Sequence, residues 1–329
     1  MRVLFIYRNP KHGFSIGKVF KPIEEELSTL ISIDSIYLPA YGYNLRSMIH
    51  NIRYVKRYLQ NNKIDIIHIT GTENYLIPFL KKYKTIVTLH DLGHYYNLKG
   101  LRAYIYKFKF IFPLLHSNII VPISTQALAE LRNSLGSDIK AVIIGDAISN
   151  QFIFHRKEIN FKEPIILHIG TRPHKNLTRT IKALNNINCR LRIIGPISSN
   201  DIKELEANGL KYTQKKDLSD EEILEEYIQA DIINFPSYHE GFGMPIIEGQ
   251  AIGRPVVTSS LEPMKTVSGG AASFCVPFEV ESIRDAYLNI LNNKQKTEEL
   301  IEQGLKNAEK YRVSEIASAY LSLYNQLLK

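Results

Sequence analysis

Residues 231–260 read DIINFPSYHEGFGMPIIEGQAIGRPVVTSS. DIINFPS (231–237) is a short β-branched and aromatic run closed by proline and serine, the composition of a buried strand. RPVVTSS (254–260) repeats that composition. Between them, glycines 241 and 243 give way to a helix over 244–252. Pro245 suits its first turn, where a backbone N–H would have no helical partner anyway. Strand, loop, helix and strand within this stretch form a βαβ unit, which implies a parallel sheet covered on both faces.

The same alternation extends in both directions. Upstream, PIILHIG (164–170), CRLRIIG (189–195) and LKYTQ (210–214) read as strands, and ASFCVP (272–277) follows downstream. Helices fill 175–186, 199–208, 219–229 and 281–292. An earlier series holds RVLFIY (2–7), ISIDSIYL (31–38), IDIIHIT (64–70), KTIVTLH (84–90), NIIVPIS (118–124) and KAVIIG (140–145). Amphipathic segments near 15–30, 44–61, 74–82, 100–115 and 124–134 separate these strands. Residues 146–163 lack clean periodicity and read as a link, and 295–328 reads as two helices with no further strand. The expected architecture is α/β, with two doubly wound parallel-sheet domains facing a cleft. Ligands of such sheets bind beyond the carboxyl ends of the strands.

The totals agree with two soluble domains. The chain has 329 residues, 44% hydrophobic and 22% charged, too long for one typical core and too apolar for disorder. Its two cysteines, Cys189 and Cys275, have no CxxC partner and read as buried thiols in a reducing compartment. The opening MRVLFIYRNP holds only a short apolar run, too short for a secretory leader and suited to a first strand. No stretch approaches a membrane span. The net charge of +8 is uneven: residues 1–150 hold 19 Lys/Arg against 10 Asp/Glu, and residues 151–329 hold 22 against 23. The basic half favours an anionic partner.

Glu240 and Glu248 stand eight positions apart. The first falls on the strand-to-helix loop and the second in the opening turns of the helix. The loop thus offers carboxylates to hydroxyls and helix-start amides to phosphates, the two chemistries of a sugar nucleotide. Taken alone, it is equally compatible with a glycine turn followed by an acid placed favourably near a helix start.

The stretch 231–260, with its two glutamates separated by seven residues, resembles the signature of glycosyltransferase family 4, retaining enzymes of the GT-B fold. LSDEEILEEYIQAD (218–231) is similar to the helix preceding it, and HIGTRPHKNLTRTIKAL (168–184) to the family's donor-phosphate loop. DIIHITG (65–71), TIVTLHDLG (85–93) and NIIVPISTQALAEL (118–131) resemble its N-terminal strands. The resemblance covers nearly the whole chain, is strongest across 164–260 and is weakest in the first 60 residues. It implies two Rossmann-like domains: 1–150 for the acceptor, 151–310 for the nucleotide sugar, and a helix at 311–329 returning toward the first.

By the same resemblance, Glu240 lies at the transferred sugar and Glu248 at the nucleotide ribose. The amides of Gly241, Phe242 and Gly243 contact sugar and diphosphate, and Arg172 and Lys175 neutralise the leaving diphosphate; His174 between them is incidental. His90, at the end of KTIVTLH, hydrogen-bonds the sugar; without the family frame it reads as a packed or capping histidine. His68 and His94 are weaker candidates, and Asp91 reads as a cap. The loop NPKHGFSIGKVF (9–20) stands where relatives carry a glycine-rich loop. Gly13 and Gly17 match it, but the adjacent glycine pair is missing.

NLKGLRAYIYKFKFIFPLL (97–115) mixes four cations with five aromatic residues. It suits a segment lying on an anionic membrane and equally a core helix with a solvated basic edge. No nucleic-acid recognition motif accompanies the basic half. No Asp-x-Asp pair, P-loop, GxSxG, or GxGxxG after the first strand occurs, so no metal or other cofactor is expected. The expectation is a retaining hexosyltransferase that moves a sugar from a UDP- or GDP-sugar to a glycan or lipid-linked acceptor. It would act in surface polysaccharide or glycolipid synthesis, in the cytoplasm, with a peripheral contact on the inner face of the membrane. The alternative is a non-catalytic nucleotide-sugar-binding protein on the same frame.

Overall fold

The computed structural model describes residues 1–12, 15–96 and 98–329. The chain divides into two compact units: Met1–Ser149 with Val313–Lys329, and Asn150–Arg312.

The N-terminal unit is built on strands β1 (Arg2–Tyr7), β2 (Ser32–Tyr37), β3 (Ile66–Ile69), β4 (Lys84–Leu89) and β5 (Ile119–Pro122). They pair in the order β2-β1-β3-β4-β5, all parallel. β1 beyond Arg2 and all of β3 are buried because both faces are covered. The edge strand β2 breaks that pattern: its Asp34 pairs with Arg2 at 2.8 Å. Two helices of this unit start on a side-chain cap. Asn44 accepts from the Ser47 amide ahead of helix Leu45–Asn61, and Ser124 from the Ala127 amide ahead of helix Thr125–Leu135. Where a helix over 100–115 was expected, an α-helix (Gly100–Tyr106), a π-helical turn (Lys107–Ile111) and a 3-10 turn (Phe112–His116) follow one another.

The expected strand at 140–145 is absent; Ala141 makes one isolated parallel bridge to Ile120. The reason is local. Ile120 and its partner segment exchange bonds at Lys140 and Val142, and the Ile144 amide donates to the Pro122 carbonyl. The next bond of the ladder needs an N–H from residue 122, and proline has none.

The last helix, Val313–Leu328, belongs to this unit. Its Tyr324 hydroxyl lies 2.7 Å from His68 Nδ1, and Tyr320 lies 3.1 Å from Thr88 Oγ1. His68 is fully buried, and desolvation pulls its pKa down to about 3. It is a neutral core histidine held by Tyr324 and Thr88.

The C-terminal unit carries β6 (Ile165–Ile169), β7 (Arg190–Ile194), β8 (Lys211–Lys215), β9 (Ile232–Phe235), β10 (Val256–Ser259) and β11 (Ser273–Cys275). The order is β11-β10-β9-β6-β7-β8, again all parallel. Helix Met244–Ile252 is apolar nearly all round because it is covered on more than one side. Gly249 permits the close approach to the sheet: a Cβ there would sit 2.7 Å from Ile233. On its other side Gln250 donates to the Ser268 and Ala271 carbonyls and accepts from Asn307. The turn after this helix is fixed by Arg254, which is 2% exposed. Its guanidinium donates to the carbonyls of Ala230, His155, Ile252, Gly253 and Ile228.

Candidate functional site

In the C-terminal unit the strand order reverses between β6 and β9, which pair directly. In an open α/β sheet such a reversal leaves a crevice outside the carboxyl ends of the two strands. The loops that leave β6 and β9 are those holding Arg172, Lys175 and Glu240.

Two ties fasten these loops to each other. Asn176 adopts the left-handed conformation at φ +68°, and its Nδ2 donates to the carbonyls of Pro236 (3.1 Å) and Pro277 (2.6 Å). The Tyr238 amide donates to the His174 carbonyl at 3.0 Å. Within this frame Lys175 Nζ lies 2.7 Å from Glu240 Oε1 and 4.5 Å from the centre of the Phe235 ring. The ring face adds a cation–π attraction, so the ammonium is held by a carboxylate and an aromatic surface together. His174 Nε2 reaches within 4.0 Å of the same Glu240 oxygen. Burial and the charges of Lys175 and Arg172 lower the His174 pKa against the pull of Glu240. Arg172 is exposed at the start of the Pro173–Lys175 turn.

Gly243 stands immediately before helix Met244–Ile252 at φ +117°, a conformation that favours glycine, with Pro245 in the first turn. Phe242 is buried and meets the Tyr311 ring edge-on. Glu248 follows one turn into the helix and takes a short hydrogen bond, 2.5 Å, from the Tyr227 hydroxyl. Its residue surface is only half-buried, but desolvation dominates at the carboxyl and pushes its pKa up to about 7. The Tyr227 bond and the charge of Lys175 oppose that rise. The carboxyl therefore changes charge near neutrality.

Lys175 and Glu240, named separately from the sequence, are thus in direct contact. Arg172 shares the Lys175 loop, Gly241 to Gly243 share the Glu240 loop, and Glu248 occupies the following helix.

In the N-terminal unit, His90 Nε2 lies 3.0 Å from the Thr70 carbonyl, so this nitrogen carries the proton. Nδ1 lies 4.0 Å from Asp146, whose pKa is raised by burial. Nδ1 is the nitrogen left to meet a ligand. Asp91 accepts from the Gly93 amide at 3.0 Å, a local turn bond. Gly13 lies outside the described residues. Gly17 lies within helix Ser15–Ser28 rather than in a loop, and its backbone has no positive φ. An added Cβ there would meet nothing within 4 Å, so the space beside it is open.

Sequence reasoning missed Glu73. The order of this sheet reverses between β1 and β3, and Glu73 follows β3 at 2% exposure. Desolvation pushes its pKa up to about 7, against the charge of Arg8 and a 3.3 Å bond from the Tyr43 hydroxyl. Its Oε2 is buried without a hydrogen-bond partner among the described residues. An acid four residues past a buried strand was the available signal. Asn176 was also missed; asparagine is one of the residues that tolerate the left-handed conformation. Among the described residues no group of three or more His, Cys, Asp or Glu side chains gathers as a metal site.

Comparison with known proteins adds an independent line. Residues 149–307 match the family model "Glycosyl transferases group 1", and residues 17–149 match "Glycosyltransferase Family 4". The O-antigen chain mannosyltransferase RfbU of Salmonella typhimurium is 24% identical over 231 residues, covering 67% of this chain and 64% of that protein. Among solved structures, sucrose-phosphate synthase of Thermosynechococcus elongatus superposes with a TM-score of 0.79 at 18% identity, covering 99% of each chain. Anabaena HepE in complex with UDP and glucose superposes with a TM-score of 0.76 at 14% identity, covering 99% of this chain and 100% of that one.

Proposed function

For a chain that belongs to the family 4 type of glycosyltransferases and has their GT-B fold, we propose a retaining transfer of a hexose from a UDP- or GDP-sugar to a glycan or lipid-linked acceptor. The observation that carries the reading is the Lys175–Glu240 pair at 2.7 Å, on the two loops that flank the reversal of strand order. A cation for a diphosphate and a carboxylate for sugar hydroxyls stand side by side on fastened loops.

In this reading Lys175 and Arg172 take the negative charge that grows on the leaving diphosphate, a preorganised electrostatic role. The amides of Gly241, Phe242 and Gly243 at the helix start add hydrogen-bond donors. Glu240 accepts from the hydroxyls of the transferred sugar, and Glu248 from the ribose. The acceptor belongs to the basic N-terminal unit, where His90 Nδ1 hydrogen-bonds a sugar hydroxyl. The acceptor oxygen bonds to the anomeric carbon on the face from which the diphosphate departs. The bond from that carbon to the phosphate oxygen breaks, and the acceptor's proton passes to the leaving phosphate. No metal takes part.

The kinship with an O-antigen mannosyltransferase supports surface polysaccharide synthesis as the setting, and the UDP-bound relative supports a nucleotide donor. Both thiols, Cys189 and Cys275, are free and buried, and a reducing, cytoplasmic location is part of the proposal.

The test is titration calorimetry with UDP, GDP, ADP and their sugars in EDTA, with Arg172→Ala and Glu248→Ala in parallel, followed by NMR of the product's anomeric centre. Metal-independent binding of one nucleotide, weakened by both substitutions, and an unchanged anomeric configuration are expected. Inversion overturns the retaining mechanism. Binding without turnover on any acceptor overturns catalysis in favour of a nucleotide-sugar-binding protein.

A further inference from the structure

Beneath the loops of Lys175 and Glu240 the C-terminal sheet carries polar side chains among apolar ones. His168 of β6 and Asn234 of β9 stand opposite each other on the two strands that flank the reversal of order. Each is 1% exposed. Asn234 is fully used. Its Oδ1 accepts from the Tyr287 hydroxyl at 2.6 Å, and its Nδ2 donates to His168 Nδ1 at 2.7 Å and to Thr180 Oγ1 at 3.2 Å. Tyr287 and Thr180 come from helices Val280–Leu291 and Leu177–Ala183. One asparagine thus ties the two strands to two helices packed on them.

His168 is used on one side only. Because its Nδ1 accepts, the ring's proton sits on Nε2. Nε2 is buried and has no hydrogen-bond partner among the described residues. Desolvation lowers the ring's pKa to about 4, and the Lys175 charge acts in the same direction. The ring is therefore neutral, and what is left over is an N–H donor. A buried donor without an acceptor is costly and uncommon in folded proteins.

An acceptor stands close by. Gly170 lies two residues further on, where β6 has ended. Its backbone favours a proton on the His168 ring without closing a bond to Nε2. The Gly170 amide is pinned to the Ile194 carbonyl at 2.8 Å, while its own carbonyl accepts from no backbone or side-chain group among the described residues. The φ of Gly170 is +85°, and with no Cβ its peptide can turn. The Lys175 side chain lies across it: a Cβ added to Gly170 would meet Cε, Cγ and Cδ of that lysine at 3.1, 3.2 and 3.4 Å. The lysine whose ammonium pairs with Glu240 is thus packed on the peptide that the spare donor of His168 could hold.

We propose that His168 is a positioning residue for the donor diphosphate: as Lys175 leaves Glu240 for the phosphates, the Gly170 carbonyl turns onto His168 Nε2, and the new bond holds the loop in its ligand-bound form. This role rests on the transferase reading above and adds to it a residue that acts through Gly170 and Lys175 without touching the ligand. The unpaired donor destabilises the free protein and is satisfied only in the complex. That difference between the two states is what raises donor affinity.

Proton–nitrogen NMR of the full chain with ¹⁵N-labelled histidine reads its ten rings, and the His168 signals are identified by their loss in His168→Gln. UDP, GDP and sodium pyrophosphate are the probes. With whichever binds, the His168 Nε2 proton should move downfield and exchange more slowly with solvent. In calorimetry His168→Leu should weaken that ligand about fivefold to tenfold, and His168→Gln, which keeps an acceptor and a donor, should recover most of the loss. The loss should vanish in a Lys175→Met background and persist in a Glu248→Gln one. Tyr287→Phe breaks the network on the far side of Asn234, and should lower stability while leaving donor affinity unchanged. A His168 proton unmoved by bound ligand overturns the proposal, and this measurement on the unsubstituted ring decides even where His168→Leu does not fold. An affinity loss undiminished in Lys175→Met, or matched by Tyr287→Phe, also overturns it, because general damage to the core would do the same. Failure of all three probes to bind overturns the transferase site itself, whereas binding with the ring unmoved leaves that site standing and removes only this role.

Discussion

If Glu248 binds the donor's ribose as proposed, its environment should give donor binding a pH dependence. Its carboxyl has a pKa of about 7 because burial disfavours the charge more than Tyr227 and Lys175 restore it. Tyr227 already occupies Oε2. Ribose hydroxyls offer hydrogens and need an acceptor, and a charge-assisted bond to carboxylate is roughly twice as strong as a neutral one. If the ionised form is the one that binds, about one-tenth of the protein is competent at pH 6 and about nine-tenths at pH 8. Affinity should therefore rise by up to about tenfold, or about 1.4 kcal/mol, across that interval. The assay is calorimetry with the cognate nucleoside diphosphate at half-unit steps of pH. Glu248→Gln serves as the baseline, since it carries the phosphate's own titration but not the carboxyl's. A wild-type profile parallel to that of Glu248→Gln would refute the assignment of Glu248 to the ribose.

Replacing Lys175 by Met should lower kcat/KM by about 10²- to 10³-fold in steady-state transfer assays, the cost of removing one preorganised charge, with partial recovery in Lys175→Arg. Glu73 binds its proton more tightly folded than unfolded, so its contribution to stability falls as pH rises from about 4.5 to about 7 and then levels off. Glu73→Gln should accordingly raise Tm at pH 8, by the equivalent of about 1–3 kcal/mol, and bring no gain at pH 4.5. Scanning calorimetry at the two pH values separates these outcomes. Arg254→Met strips five carbonyls of their donor and should destabilise the protein by about 3–5 kcal/mol in denaturant titration. Gly249→Ala forces a methyl against Ile233 and should cost about 1–3 kcal/mol in the same titration.

The strands were legible because buried parallel strands are written as apolar runs, and residues 3–7, VLFIY, hold nothing else. KAVIIG has the same composition and yet forms one bridge, because the property that decides it belongs to Pro122 on the neighbouring strand. Composition is local and pairing is not. The Glu240 and Lys175 loops could be found from their positions after strands, but not their mutual contact, which spans 65 residues of chain. Arg254 and Glu73 were passed over for a related reason. A charged residue is read as solvent-facing by default, and only the folded backbone shows the five carbonyls that receive the one and the desolvated end of β3 that holds the other. Gly17 erred in the opposite direction, since a glycine near a first strand invites a loop reading that the helix around it does not support.

The membership of helix Val313–Leu328 in the N-terminal unit bears on the order of events during synthesis. Domains ordinarily finish one after another as the chain emerges, the N-terminal one first. Here the first unit must wait. Until Tyr320 and Tyr324 arrive, His68 and Thr88 lack the hydroxyls that hold them in the finished core, while Asn150–Arg312 already has its whole sequence. The first unit is completed only after the second has been synthesised, and a chain cut at Ser149 leaves that core open. The C-terminal unit is topologically an insertion, and it is the half with the better prospect of folding when expressed alone.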